Sequence, residues 1–379
     1  MKTEQNRWTA ATDWEQGPIG QLGASAQLVL LFGSRQILKL GRHFEAVRAA
    51  FPEAQIVGCS TAGEICGTEV SDDSLVLTAV AFSHTRVVSG KTKIIGLADS
   101  YEAGERLARG LAPDKLVHVF VLSDGLGVNG SELVRGLTSN LPSSVSVTGG
   151  LSGDGAGFAE TVVVGNGEAE SNVVAVVGFY GDRLEVGYAS LGGWDSFGPE
   201  RLITRSSGNI LYELDGRSAL DLYKTYLGEH SAGLPATGLL FPLSLRTAHG
   251  ESGLVRTILA VNEEDKSMVF AGDMPMGAYA RLMKANFDRL IDGSTGAARA
   301  SSEGMRSKQA DLAILISCVG RKLVLKQRVE EEVEGVRDVL GSAAVLAGFY
   351  SYGEISPFTP GAKCALHNQT MTITTFAER

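Results

Sequence analysis

Two short stretches hold the residue types best suited to recognising a small molecule. Gly58–Gly67 reads GCSTAGEICG and Gly348–Pro357 reads GFYSYGEISP, so each places Gly-Glu-Ile five residues after a glycine. Glycines at a strand end let the backbone turn tightly or come close to a ligand. Glu354 offers a carboxylate to an ammonium group. Tyr350 and Tyr352 alternate, so in a strand both would project from one face, each with a ring and a hydroxyl. Glu64 is the counterpart in the first copy, which lacks the aromatics. The alternative reading is structural: Glu64 and Glu354 cap backbone amides at equivalent turns of a repeat. A third glycine-rich turn, GGLSGDG at Gly149–Gly155, matches by position and brings an exposed Ser152 and Asp154 toward the same cleft. Arg321 follows SCVG with a guanidinium able to clamp a carboxylate in a bidentate fork, or to stand as a solvated turn cation. His367 and Asn368 open the strand-like HNQTMTITTF, as polar pocket residues or as groups bonded within the sheet. Tyr350, Tyr352, Glu354 and Arg321 are expected to face one cleft with His367 or Asn368.

The elements that position these residues repeat. AQLVLLFGSR (Ala26–Arg35) and ADLAILISCVGR (Ala310–Arg321) are apolar runs of strand length ending in a small-residue turn. Each leads into a helical stretch with Glu-x-Val-Arg, Glu45–Arg48 and Glu334–Arg337, and then a second strand running into the glycine. Leu40, Phe44, Val47 and Phe51 give the first helix an apolar face; Val329, Val333, Val336 and Leu340 do so for the second. KLVHVFVLSDG, SELVRGLTSNL and SVSVTGG form a third copy between them. Three strand–helix–strand units predict an α/β (α+β mixed) fold of two domains, with mixed β-sheets flanked by helices. Phe82–Arg86 and Phe179–Arg183 read as hairpin turns, and 292–304 as a helix end followed by a loop. Residues 172–277 are nearly all strand and turn, with one helix near Ser218–Leu227 carrying Leu220, Tyr223 and Leu227 on one face. The domain boundary is expected near 190–215.

Other chemistries find little footing. Gly125, Gly127 and Gly130 match a dinucleotide fingerprint, but the next strand lacks the acid that holds a ribose, and Asp124 sets a negative charge beside any pyrophosphate. Ser131 reads as the N-cap of the helix that follows. No GxSxG, HExxH or paired metal-ligand spacing occurs, so an enzyme is not expected. Cys59, Cys66, Cys318 and Cys364 are scattered without a CxxC pair. The net charge of −9 and the lack of a basic strip argue against nucleic acid. The polar start and the absence of an apolar run of about 20 residues argue against export and membrane insertion, which predicts a cytoplasmic protein.

Taken in order, GCSTAGEI, SDG, GGLSGD, SCVGR, FYSYGEISP and LHNQTM resemble the FIST proteins, which pair a FIST N with a FIST C sensory domain. The resemblance spans Leu28 to Phe376 and implies a FIST N-like domain over 25–200 and a FIST C-like ligand-binding domain over 201–379. It implies an intracellular signalling protein whose small-molecule ligand is, for many members, proposed to be an amino acid. Stand-alone bacterial members are similar to nitric-oxide-sensing haem proteins acting on a histidine kinase or a cyclic-di-GMP enzyme. Under that likeness His367 becomes an axial haem ligand, Arg321 a propionate partner, and His230 and His249 the reserve ligands. His43, His84 and His118 are isolated in sequence.

Overall fold

The computed structural model describes residues 1–246, 252–358 and 361–379. Three apolar runs, Leu28–Gly33, Leu116–Ser123 and Leu312–Cys318, become strands buried along almost their whole length. Each passes through a helix (Arg42–Ala50, Gly130–Ser139 and Val329–Leu340) to a parallel strand (Gln55–Ser60, Ser146–Leu151 and Val345–Ser351). Parallel pairing needs such a crossover. The expected repeat is therefore present three times. Gly58, Gly149 and Gly348 stand opposite Leu31, Val121 and Leu315. A Cβ at these glycines would come within 2.0, 1.8 and 1.9 Å of the carbonyl oxygen facing it, so no larger residue fits.

After its second strand, each unit sends a strand into a neighbouring unit. Glu64–Cys66 runs antiparallel to Val345–Ser351, Val163–Gly165 to Gln55–Ser60, and Gly353–Pro357 to Ser146–Leu151. The chain then returns beside its own first strand as Leu75–Ala81, Val173–Tyr180 and Met371–Glu378. A last strand leaves again. Arg86–Lys93 pairs with Val173–Tyr180, Leu184–Leu191 with Met371–Glu378, and the N-terminal Lys2–Thr9 with Leu75–Ala81. Three mixed sheets result, tied in a ring. Backbone bonds at the crossings repeat as well: Ala62 N–H donates to the Tyr350 carbonyl (2.8 Å), Gly153 to Ser60 (2.9 Å) and Tyr352 to Leu151 (3.3 Å). Phe32, Phe120, Ile316 and Phe349 join the units in one apolar core.

Three expectations change. The Phe-x-x-x-Arg turns at Phe82–Arg86 and Phe179–Arg183 are not hairpins, because the strands on either side of each pair with different partners. Residues 292–304 do not open a loop; a continuous helix spans Phe287–Glu303. Its small residues serve close packing: a Cβ on Gly293 would lie 1.8 Å from the Gly192 carbonyl, and one on Gly187 1.9 Å from that of Ser301. Leu40 is exposed, because the first helical stretch breaks at Gly41 (φ +62°), and Ile37 and Leu38 are buried in the short turn before the break.

Residues 195–285 form a further antiparallel region with its own core, including the strands Leu243–Arg246, Ser252–Arg256 and Tyr279–Lys284. Its helix Ala219–Leu227 is capped by Ser218 and buries Leu220, Tyr223 and Leu227, as their spacing predicts. No helix among the described residues is long and apolar enough to cross a membrane.

Candidate functional site

The two Gly-Glu-Ile turns are one device. Glu64 accepts hydrogen bonds from the Thr61 hydroxyl and from the Ser74 amide (3.2 Å) and hydroxyl (2.7 Å). Glu354 accepts them from the Ser351 hydroxyl (2.6 Å) and from the Thr370 amide (3.2 Å) and hydroxyl (2.9 Å). Each carboxylate thus pins the point where the exchanged strand hands over to the returning one. Burial pushes Glu64 up to about 7 and Glu354 up to about 8, against hydrogen bonds that favour the ionised form. In the second unit Asp124 takes a similar part, accepting from the amides of Leu126 (2.9 Å), Gly127 (2.7 Å) and Asn172 (3.1 Å) and from the Thr161 hydroxyl (3.0 Å). The Leu126 and Gly127 amides of the glycine fingerprint are therefore turned onto Asp124, and the Gly125 amide onto the Thr161 hydroxyl, rather than outward to a phosphate. The helix is capped by Asn129, not Ser131: its side-chain oxygen accepts from the amides of Ser131 and Glu132.

The remaining expected residues divide into separate groups. Arg321 is wholly buried, not a solvated cation. It donates to Glu332 through Nε (3.1 Å) and Nη2 (2.7 Å), and to the carbonyls of Gly192 (2.8 Å) and Leu290 (2.7 Å). Glu332 also accepts from the Tyr350 hydroxyl (2.6 Å) and from Ser317 (3.1 Å). Tyr352 turns elsewhere, donating to Asp154 and stacking on Phe158 at 4.4 Å. Ser152 is buried and the side chain of the half-buried Asp154 is nearly covered, so neither is exposed: Ser152 donates to the Ser123 carbonyl, and the Asp154 carboxylate also accepts from the Ala159 and Glu160 amides. The geometry thus joins Arg321 with Tyr350, and Tyr352 with Asp154, but gathers no common cleft.

His367 is fully buried, with its ring 4.1 Å from that of Phe358. Its Nε2 lies 2.7 Å from the Ser356 carbonyl. A carbonyl only accepts, so Nε2 carries the proton, Nδ1 is a bare acceptor, and burial pushes the imidazole down to about 4. Nδ1, both amide atoms of the buried Asn368 and Oε1 of Gln369 have no hydrogen-bond partner among the described residues. These residues do not fit haem. The histidine is sealed by an aromatic ring and has one nitrogen committed, and the expected propionate partner is consumed by Glu332. His118 is held between Ser146 and Thr148, His43 packs on Trp8, and His84 meets Arg183. His230 is exposed beside Phe241, and His249 lies outside the described residues.

A cavity of about 740 Å³ opens elsewhere, between the helix Gly130–Ser139 and the strand Cys364–His367 on one side and the 195–285 region on the other. None of the nine expected residues lines it. In its wall is Arg256, 4% exposed. Its guanidinium donates only to carbonyls, those of Asp273 (3.1 Å), Leu366 (3.0 Å) and Val255 (3.3 Å). Among the described residues it makes no ion pair within 4 Å; burial lowers it to about 10, against an opposing pull from the Asp273 carboxylate. Arg135 and Lys363 add positive charge to the lining, and Asp273, already bound by the Asn129 amide at 3.0 Å, is its one carboxylate. The sequence signal was an arginine inside the apolar run Leu254–Val261.

An uncharacterized protein of Methanocaldococcus jannaschii is 22% identical over 357 residues, covering 88% of this chain; the chain spans 66% of that relative's length. A solved cyanuric acid hydrolase from A. caulinodans aligns over 100% of this chain and 99% of its own, at 10% identity and a TM-score of 0.36, too low to bear on function. The FIST N domain matches residues 27–217 and the FIST C domain residues 219–357. The chain belongs to the FIST family, whose domains are in general sensory elements of signal transduction and not enzymes.

Proposed function

We propose that this chain is a cytoplasmic sensor of a small anionic molecule, held in the cavity between the threefold body and the 195–285 region. The observation that carries the reading is Arg256, a buried cation in the cavity wall whose hydrogen bonds all go to carbonyls, with Asp273 acting on it only from beyond ion-pair distance. Burying a charge without a partner is costly, and a ligand carboxylate offsets that cost. An amino acid is one such ligand. Its binding bridges two parts of the fold, so a state in which they are closed together gains affinity and population. The readout would pass to a signalling protein such as a histidine kinase or a cyclic-di-GMP enzyme.

A second reading places a polar ligand at His367 and Asn368, where the sequence first pointed; the orphaned atoms there favour it. Haem with nitric oxide finds no support at these residues. Thermal-shift and calorimetric titration with the amino acids, with larger organic carboxylates and with haemin tests the proposal. Saturable stabilisation lost in Arg256→Met supports the cavity, whereas loss in Asn368→Ala alone supports the second reading. A saturable Soret shift abolished by His367→Ala would reinstate haem. No ligand-dependent stabilisation at all would contradict the sensor reading.

A further inference from the structure

Resting on that reading, we infer that the cavity takes an anion with a sizeable apolar body rather than a compact zwitterion. Size is the first argument. At about 30 Å³ per non-hydrogen atom, the share of a water molecule in the liquid, a ten-atom amino acid occupies about 300 Å³ and a carboxylate of twelve or thirteen atoms about 360–390 Å³, so the larger bodies have ample room. The cavity's 740 Å³ falls in the upper part of the range of small-molecule sites, about 300–1,000 Å³. Lining is the second. The walls mix hydroxyls, among them Ser143, Ser144 and Ser146, with an aliphatic part supplied by Val134, Val147, Leu245, Leu254, Pro275 and Leu366. The aliphatic side chains come from both sides, Val134, Val147 and Leu366 from the threefold body and the others from the 195–285 region. An apolar body between them would be desolvated on two faces, at roughly 25 cal/mol per Å² of apolar surface buried. Charge is the third. Arg256, Lys363 and Arg135, the last paired with Glu132, line the cavity with one carboxylate, Asp273, which already accepts from Asn129. An ammonium group would therefore meet more repulsion than attraction.

Arg256 supplies the fixed end. Three backbone carbonyls hold its guanidinium in place, so it meets an oxyanion with little further ordering. Lys363, exposed in the turn before the strand Cys364–His367, and Arg135 on the helix stand where a second charge or the cavity mouth would be.

The test is calorimetric titration of the full chain with decanoate and 2-naphthoate below their aggregation range, and with decylammonium and leucine. Wild-type protein is expected to bind at least one of the two carboxylates saturably, and decylammonium and leucine at least tenfold more weakly. Decanoate against 2-naphthoate separates an open-chain body from a planar one. Arg256→Met is expected to weaken binding by about 30-fold or more, the consequence of losing a desolvated charge pair. Should that variant fail to fold, Ala362→Trp, an exposed lining position, narrows the cavity and is expected to weaken binding without disturbing the core. Leucine binding tighter than both carboxylates, and lost in either variant, would overturn this inference while leaving the sensor reading intact. Carboxylate binding untouched by either variant would overturn the cavity and the inference together.

Discussion

Arg321 and Arg256 are both buried guanidiniums, and what faces each one sets its role. Arg321 meets the Glu332 carboxylate in two hydrogen bonds, and that carboxylate is shared with Tyr350 and Ser317. The group is closed on itself and joins the helix Val329–Leu340 to strands of the third unit. Arg256 meets only carbonyls and opens on a cavity. A saturated buried network specifies the fold. A buried charge bonded to carbonyls alone, beside a cavity, is where we propose that a ligand binds.

Removing one partner from the closed group has the largest expected effect. Glu332→Gln leaves the Arg321 charge buried and uncompensated and is expected to cost about 3–5 kcal/mol in chemical denaturation. Ligand affinity should be unchanged once the protein is folded. A loss below about 1 kcal/mol would mean the group is not closed as described.

The glutamate turns sharpen the same contrast through pH. Burial raises Glu354 to about 8 and Glu64 to about 7, above the range of about 4.3 expected for an unfolded chain. The folded state therefore holds these protons more tightly. The stabilisation is complete below the unfolded value and is lost as pH rises through about 7 and about 8. Within that window each group contributes a slope of up to about 1.4 kcal/mol per pH unit. Glu354→Gln is expected to flatten the fall in stability between pH 5 and 8. An unaltered pH profile would show that Glu354 is ionised in the fold.

Tyr352→Phe removes the hydroxyl that donates to Asp154 while keeping the ring on Phe158, and is expected to cost about 1 kcal/mol. Arg256→Met should change stability least, by less than about 1 kcal/mol, because relief of a desolvated charge offsets three lost bonds to carbonyls. A loss as large as that of Glu332→Gln would erase the distinction between the two arginines.

Local chemistry made much of the fold legible in the sequence. The three apolar runs, the Glu-x-Val-Arg helices and the paired Gly-Glu-Ile turns all fall where their spacing places them. The ring of exchanged strands was not legible, because Glu64–Cys66 finds its partner almost 300 residues away, at Val345–Ser351, and no local period records that. The small residues of 292–304 misled for a related reason: their glycines answer to a distant strand, not to a turn. The expected site residues were polar positions beside glycines, and the fold uses most of them to bind its own crossings. Arg256 was hidden because its meaning depends on its hydrogen bonds all going to carbonyls, which only three-dimensional packing reveals.

Hydrogen–deuterium exchange with and without saturating decanoate tests the central claim most directly, because it locates the ligand. The account predicts new protection along Gly130–Ser139, around Leu254–Arg256 and over Cys364–Leu366, and none of it in Arg256→Met. Protection confined to 319–321, 350–354 and 367–368, retained in Arg256→Met, would contradict it and return the site to the residues that the sequence first singled out.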